Sequence, residues 1–357
     1  MLKSELILDC KEYMMVDGLV KKYPRDVIIH IVLRFPVKFL LRIKCVSKTF
    51  YSLIQSSTFI NLHLNHTTPS TYDSILFKRS FKEDIEKYKA IFSILSSDHN
   101  DYLKFTYQDL DVPYRTSRYS ITNDKLMGPC HGLIALMISR TTLLINPSTR
   151  RCRLLPSSPF DVPKGFYKSI ESVGFGFDSV VNDFKVFTIY HVYTNDAYGY
   201  PEEGTKKIEV YELSIDIWRE LDHVDQHLPV LFWSTSSILY NGAYFWITTS
   251  EQGEHMSHIE THHQMEISQD YNVYESWNKK YTIRGIPTEL PLVVWKDYLL
   301  GFQSNSGYLM SYDLNCDEIK ELNIYGCLKS MRAIIYEERL TPIPTGSQNS
   351  TQVEYFK

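Results

Sequence analysis

The segment EVYELSIDIWREL, Glu209 to Leu221, reads as two short strands around a polar turn. Two other stretches are built the same way: LLINPSTRRCRLL, Leu143 to Leu155, and MSYDLNCDEIKEL, Met310 to Leu322. Aligning Pro147, Leu213 and Leu314 puts Ser148, Ser214 and Asn315 in one column and Leu155, Leu221 and Leu322 in another. Hairpins that recur with strands between them predict a propeller or another closed repetitive β-architecture, because closure protects sheet edges. A plain sandwich stays open as the alternative.

Composition agrees with a β-rich protein. The 357 residues, 43% of them hydrophobic, suffice for one large or two ordinary domains with a real core. Tyr 26, Phe 18 and Trp 5, with frequent Val, Ile and Thr, favour pleated half-buried surfaces and exclude an all-helical or mainly disordered chain. Short apolar runs punctuated by Gly, Pro, Asn and Asp assign residues 76–340 to one β domain and 341–357 to a flexible tail. Within it, Lys78 to Leu95 (KRSFKEDIEKYKAIFSIL) reads as a charged loop or a surface helix with a solvated face. After NGAYFWIT, Asn241 to Thr248, no repeat signature follows. Only about thirty residues separate Trp246 from Trp277, so part of one copy is expected to be missing between 249 and 270, with Glu251 to Asp270 disordered and the domain weakened, or with a compact loop in place of the strands.

The front of the chain differs. Residues 1–20 read as an extension, 21–64 as a helical module and 65–75 as a linker. Val27, Ile28, Ile31, Val32 and Phe35 have helical spacing, with Pro24 and Asp26 suited to the first turn and Pro36 as the stop. Val37, Leu40, Leu41 and Ile43 support a second helix, and Val46, Phe50, Leu53 and Ile54 a third. A unit of about forty residues without metal or disulfide needs a neighbour to lean on. Residues 21–64 carry Lys21, Lys22, Arg25, Arg34, Lys38, Arg42, Lys44 and Lys48 against Asp26 alone, a surplus of seven, whereas the chain after residue 64 has a net charge of about −9. The basic residues alternate with apolar ones, which favours docking on an acidic helical protein over nucleic acid.

These residues resemble the F-box. The run FPVKFLLRIKCVSKTFYSLI, Phe35 to Ile54, is similar to the plant version, with Tyr23 where the family usually has leucine and Phe50 where it usually has tryptophan. The resemblance implies docking on a Skp-type adaptor and through it on a cullin and RING subunit, with contacts assigned to Pro24, Ile28, Leu33, Pro36, Val37, Leu40 and Leu41. The matches GPCHGLIAL (Gly128 to Leu136), INPSTRRCRLLP (Ile145 to Pro156) and GFGFDSVVNDFKVFTI (Gly174 to Ile189) resemble the F-box-associated domain of plant F-box proteins. INLHLNHTT, LFKRSFKE, ESWNKKYTI and SYDLNCDEIKEL look like the S-locus F-box proteins of ribonuclease-based self-incompatibility. The fold class expected is thus α+β multidomain, a three-helix F-box followed by an all-β, propeller-like domain. The function implied is substrate recognition in a ubiquitin ligase, with a basic ribonuclease as target in pollen. Another protein target, or adaptor binding without a degraded target, remains open.

Catalytic readings are weak. Cys130 and His131 are adjacent, and neighbours on a strand point to opposite faces, so no thiol–imidazole pair is expected. Gly174 and Gly176 precede a strand rather than a helix, which excludes a phosphate loop and suggests close approach at a turn. His255, His258 and His262 would share a helix face as a metal site, but Gly253 opposes a helix there and no further ligand completes it. Cys10, Cys45, Cys130, Cys152, Cys316 and Cys327 lack CxxC spacing. No catalytic residue, metal, cofactor, nucleic acid or membrane is expected, and the absence of a signal sequence or apolar span points to the cytoplasm.

Overall fold

The computed structural model describes residues 23–66, 74–85, 87–98, 101–116, 123–194, 205–221, 237–240, 243–250, 262–268, 278–283, 288–295, 299–313, 315–345 and 354–355. Among the described residues four helices come first: α1 (Arg25–Val32), α2 (Val37–Val46), α3 (Lys48–Ile54) and α4 (Ser57–Asn65). Pro24 and Pro36 sit extended at the N-caps of α1 and α2, where a missing N–H costs nothing. The helix expected third is followed by one more, α4, because the Ser56 hydroxyl accepts from Phe59 N at 3.2 Å and starts a new turn. Its β-branched residues had concealed it. Leu40, Ile43, Phe50 and Phe59, all at or below 1% exposure, form the module's centre.

The described strands that follow form five sheets, the blades of a propeller. Blade one holds β1 (Ser74–Lys82), β2 (Tyr88–Asp98) and β3 (Asp101–Thr116). Blade two holds β4 (Lys125–Cys130), β5 (Leu133–Ile138), β6 (Thr141–Asn146) and β7 (Arg151–Leu154); blade three β8 (Phe166–Asp178), β9 (Asp183–Thr194), β10 (Thr205–Glu212) and β11 (Ile217–Leu221). Blade four holds β12 (Ser237–Tyr240), β13 (Ala243–Ser250), β14 (His262–Ser268) and β15 (Asn278–Ile283); blade five β16 (Thr288–Trp295), β17 (Leu299–Ser304), β18 (Tyr308–Asp313) and β19 (Glu318–Tyr325). The chain then returns: β20 (Arg332–Tyr336) pairs with β1, Ile335 opposite Ile75, and completes blade one. β4 lies beside β8, β20 beside β4 and β16 beside β20, so the first strands of blades five, one, two and three stand side by side in that order.

Blades are buried on both faces, which explains apolar runs without alternation. In β5, Ile134, Leu136 and Ile138 join the core shared with blade one, while Leu133, Ala135 and Met137 join the core shared with blade three. In β1, Leu76 packs toward blade two, and Ile75 and Phe77 toward blade five.

The three related hairpins are β6–β7, β10–β11 and β18–β19, the outer pairs of their blades. Their repeat extends to backbone conformation. Arg150, Asp216 and Asp317 occupy one alignment column and all have positive φ, 55°, 63° and 59°. In two copies the turn carboxylate accepts from a strand tyrosine, Tyr211 onto Asp216 and Tyr312 onto Asp317.

Four expectations are corrected. Lys78–Leu95 is neither loop nor helix but the β1–β2 hairpin, and its charges are paired inside: Lys78 with Asp124 at 2.6 Å, Arg79 with Asp109 at 2.8 Å. Gly174 lies within β8, not at a turn, and a Cβ there would come within 2.0 Å of the Phe187 ring on the neighbouring strand. The region 249–270, expected to lack part of a repeat, supplies β14, which pairs with β13 and β15 and gives blade four its four strands. The remainder of that run, 251–261 and 269–270, lies outside the described residues. Finally, the described residues of the expected flexible tail, 341–345 and 354–355, are packed on the propeller. Ile343 is buried in the core between blades two and three, Arg153 donates to Pro344 O at 2.6 Å, and β21 (Glu354–Tyr355) pairs with β7. Pro342 and Pro344 are tolerated there because a segment crossing strand ends needs no ladder donors.

Candidate functional site

Antiparallel strands alternate in direction, so the first-to-second and third-to-fourth turns of every blade share one end of the propeller. β20 exits and β1 enters at that end, which places the helical module there. The contacts agree. Leu340 joins the module's buried cluster with Ile28, Leu40 and Phe59. Arg339 Nη1 donates to His63 O at 2.7 Å and His66 O at 3.0 Å, the terminal carbonyls of α4.

The seven expected adaptor contacts divide. Ile28, Leu33, Val37 and Leu40 lie inside the module, Leu41 is half-buried, and only Pro24 and Pro36 are exposed. The large apolar side chains left to water in the module are instead Tyr23, Val27, Ile31, Tyr51 and Leu62, at 43%, 42%, 37%, 48% and 41% exposure, of which Val27 and Ile31 lie one turn apart on α1. Helical spacing picks out both pairs, Ile28 with Val32 and Val27 with Ile31, and only the packing separates the inward pair from the outward one.

His63 marks the junction. Its ring is buried beside Phe59, and burial, followed by the charges of Arg339 and His66, pushes its pKa from 6.5 down to about 4. The folded value lies below the unfolded one, so the unfolded chain takes up the proton first. Stability from this group is complete above pH 6.5 and declines as pH falls toward 4, by on the order of 3 kcal/mol in all. We expect His63→Gln to flatten the melting temperature between pH 6.5 and 4.5 relative to the unaltered chain. Parallel profiles for the two would contradict this.

The opposite end of the propeller carries exposed aromatics. Tyr325 contacts Tyr308 at 5.4 Å and Phe81 at 6.3 Å between ring centroids, with Leu328 exposed nearby in sequence. On blade three, Tyr167 stacks on Tyr193 at 6.1 Å, and Phe166 beside it is 44% exposed.

The catalytic candidates do not converge. His131 has positive φ at the β4–β5 turn and packs on Phe177 and Phe184, while burial raises the Cys130 thiol to about 11, away from the thiolate a nucleophile requires. Among the described residues no three His, Cys, Asp or Glu side chains gather as a metal site. His255 and His258 lie outside the described residues, and His262 is on β14 rather than a helix. No described helix is long and apolar enough to cross a membrane.

Residues 77–263 match the family described as F-box associated beta propeller domain, and residues 24–62 match the F-box domain. The chain is 29% identical over 232 residues to F-box protein CPR1 of Arabidopsis thaliana, covering 62% of this chain and 50% of that protein. Another F-box protein of the same plant is 26% identical over 254 residues, covering 65% of this chain and 54% of the relative. The chain thus spans about half the length of the curated relatives it matches. Among solved structures, the Dos1 propeller aligns over 69% of this chain and 57% of its own at 10% identity, with a TM-score of 0.23 too low to bear on the fold.

Proposed function

The chain belongs to the family of F-box associated beta propeller proteins, and from that premise we propose that it is the substrate receptor of an SCF-type cullin ubiquitin ligase. Its F-box docks on a Skp-type adaptor, and its propeller holds a protein target for ubiquitination. The observation that carries this reading is the outward pair Val27 and Ile31, beside the exposed rings of Tyr23, Pro24 and Pro36, on a module whose core is already filled. Apolar side chains in that position await a partner, and an apolar helix face suits a groove. The receptor itself is non-catalytic and acts in the cytoplasm. Transfer is accelerated by holding target lysines near the charged conjugating enzyme, a gain in effective concentration.

The target class follows from charge and from the likeness to S-locus F-box proteins. Residues 222–277 contain eight carboxylates, Asp222, Asp225, Glu251, Glu254, Glu260, Glu266, Asp270 and Glu275, and neither Lys nor Arg. That segment includes much of blade four and favours a basic partner, such as a self-incompatibility ribonuclease in pollen.

Ile31→Asp tests the docking reading. A charge in a desolvated contact without a counterion costs several kcal/mol, so co-purification with a Skp-type adaptor should fall at least a hundredfold while circular dichroism keeps the helical signal. Wild-type recovery of the adaptor would refute the assignment.

A further inference from the structure

The stretch Glu337–Thr341 leaves blade one at the F-box end and touches both halves of the molecule within five residues. The Arg339 side chain belongs to the F-box side: its guanidinium reaches the carbonyls of His63 and His66. Those carbonyls have no partner further along the helix, and they carry the negative end of its dipole, so a cation there is doubly favoured. Glu337 pairs with the other terminal nitrogen and holds the fork in orientation. The Arg339 backbone belongs to the propeller: its carbonyl accepts from Asn146 Nδ2 at 3.1 Å, and Asn146 also donates to Thr341 O at 2.7 Å. Thr341 in turn donates to His131 O at 2.5 Å. The blade-two turn is shaped to this arrangement. Gly132 has φ +75°, and a Cβ there would lie 2.4 Å from the Arg339 Cβ.

We infer that Arg339 is a positioning residue, which fixes the angle between F-box and propeller and thereby the rate of ubiquitin transfer, without contributing to adaptor or target affinity. The inference rests on the reading of the chain as a ligase receptor. Eight residues, 66–73, separate α4 from β1. A chain of that length fully extended spans roughly 27 Å, enough to leave the angle of an unclamped F-box unfixed by the connection. Leu340 fills the F-box core without regard to direction, whereas the guanidinium bonds are directional, so the angle depends on Arg339. An arm that swings lowers the effective concentration of lysines at the charged enzyme while leaving each binding surface intact.

The chain carries its own probe positions, since Cys45 on α2 and Cys316 on the β18–β19 turn are both exposed. Spin labels at these thiols, in a background of Cys10→Ser and Cys327→Ser, give a distance distribution between F-box and blade five. We expect it to be narrow with Arg339 present, broad for Arg339→Ala and intermediate for Arg339→Lys, which keeps the charge and loses the fork. In parallel, the full chain with a Skp-type adaptor, cullin, RING subunit and ubiquitin-charged conjugating enzyme is followed through a single turnover onto its own lysines. Transfer should slow roughly tenfold for Arg339→Ala while the adaptor Kd stays within about twofold. If Arg339→Ala fails to fold, Arg339→Lys supplies both readouts. An unchanged distance distribution, or a rate that falls only in proportion to adaptor affinity, overturns the inference. Failure of the unaltered chain to bind the adaptor would sink the ligase reading instead, and the spin-label distances would still decide the role of Arg339 at the junction.

Discussion

Replacing Lys78 by alanine is expected to destabilise the propeller by about 3–5 kcal/mol, out of the 5–15 kcal/mol typical of a domain. Lys78 and Asp124 are both at 0% exposure and meet at 2.6 Å. Burial pushes the ammonium toward its neutral form and the carboxyl likewise, and their contact works against both shifts. Remove the lysine and Asp124 keeps its burial without its counterion. The site also joins three distant parts of the chain. Lys78 lies opposite Arg332 in the ladder that closes blade one, and Arg332 Nε donates to the Asp124 carbonyl at 2.8 Å at the entry to blade two. Urea unfolding should show the loss as a lower midpoint with little change in slope. The double variant Lys78→Met, Asp124→Leu should recover much of it, because two apolar side chains leave no orphaned charge. A Lys78→Ala domain within 1 kcal/mol of the original would contradict this account.

Leu40→Asp is expected to abolish adaptor binding, by a route different from that of Ile31→Asp. Leu40 is at 0% exposure in the F-box core, packed in the cluster that includes Ile28, Val37, Phe50 and Leu340. A carboxylate there costs several kcal/mol, more than a module of about forty residues can lose and remain folded. The adaptor is then lost because the surface it would meet no longer exists. Hydrogen exchange separates the routes: Leu40→Asp should release the amides of α2 and α3, while Ile31→Asp should leave them protected. Protected amides in Leu40→Asp would place that side chain on the surface.

What the sequence made legible depends on whether a residue's role is local. Pro24, Pro36 and the spacing of Ile28, Val32 and Val37 act within a few residues, and the helices they predict are present. The three hairpins were readable because each turn repeats the same local requirement, a left-handed residue at Arg150, Asp216 or Asp317. Lys78 and Arg79 misled because their partners, Asp124 and Asp109, are remote in sequence, and a charge paired at long range looks like one facing water. The same holds for the end of the chain, where Ile343 and Pro344 acquire roles only through blades two and three. The candidate docking face was half legible. Spacing located α1 with Val27, Ile28, Ile31 and Val32 on it, but the i, i+4 rule applies equally to Ile28 with Val32 and to Val27 with Ile31, so which pair faces inward is set by packing against the other helices.

The return of the chain to its own beginning has a consequence for synthesis. On the ribosome β1 emerges long before β20, and at 5–20 residues per second the wait is on the order of tens of seconds. During that time the edge of β1 that faces β20 is open, Lys78 lacks the Arg332 side of its surroundings, and the F-box has neither Leu340 in its core nor Arg339 on α4. Both halves of the molecule are thus completed by the same late segment. A nascent or prematurely terminated chain ending before Arg332 would carry neither a completed blade one nor a filled helical module, so production of the folded chain is conditional on translation through that late segment.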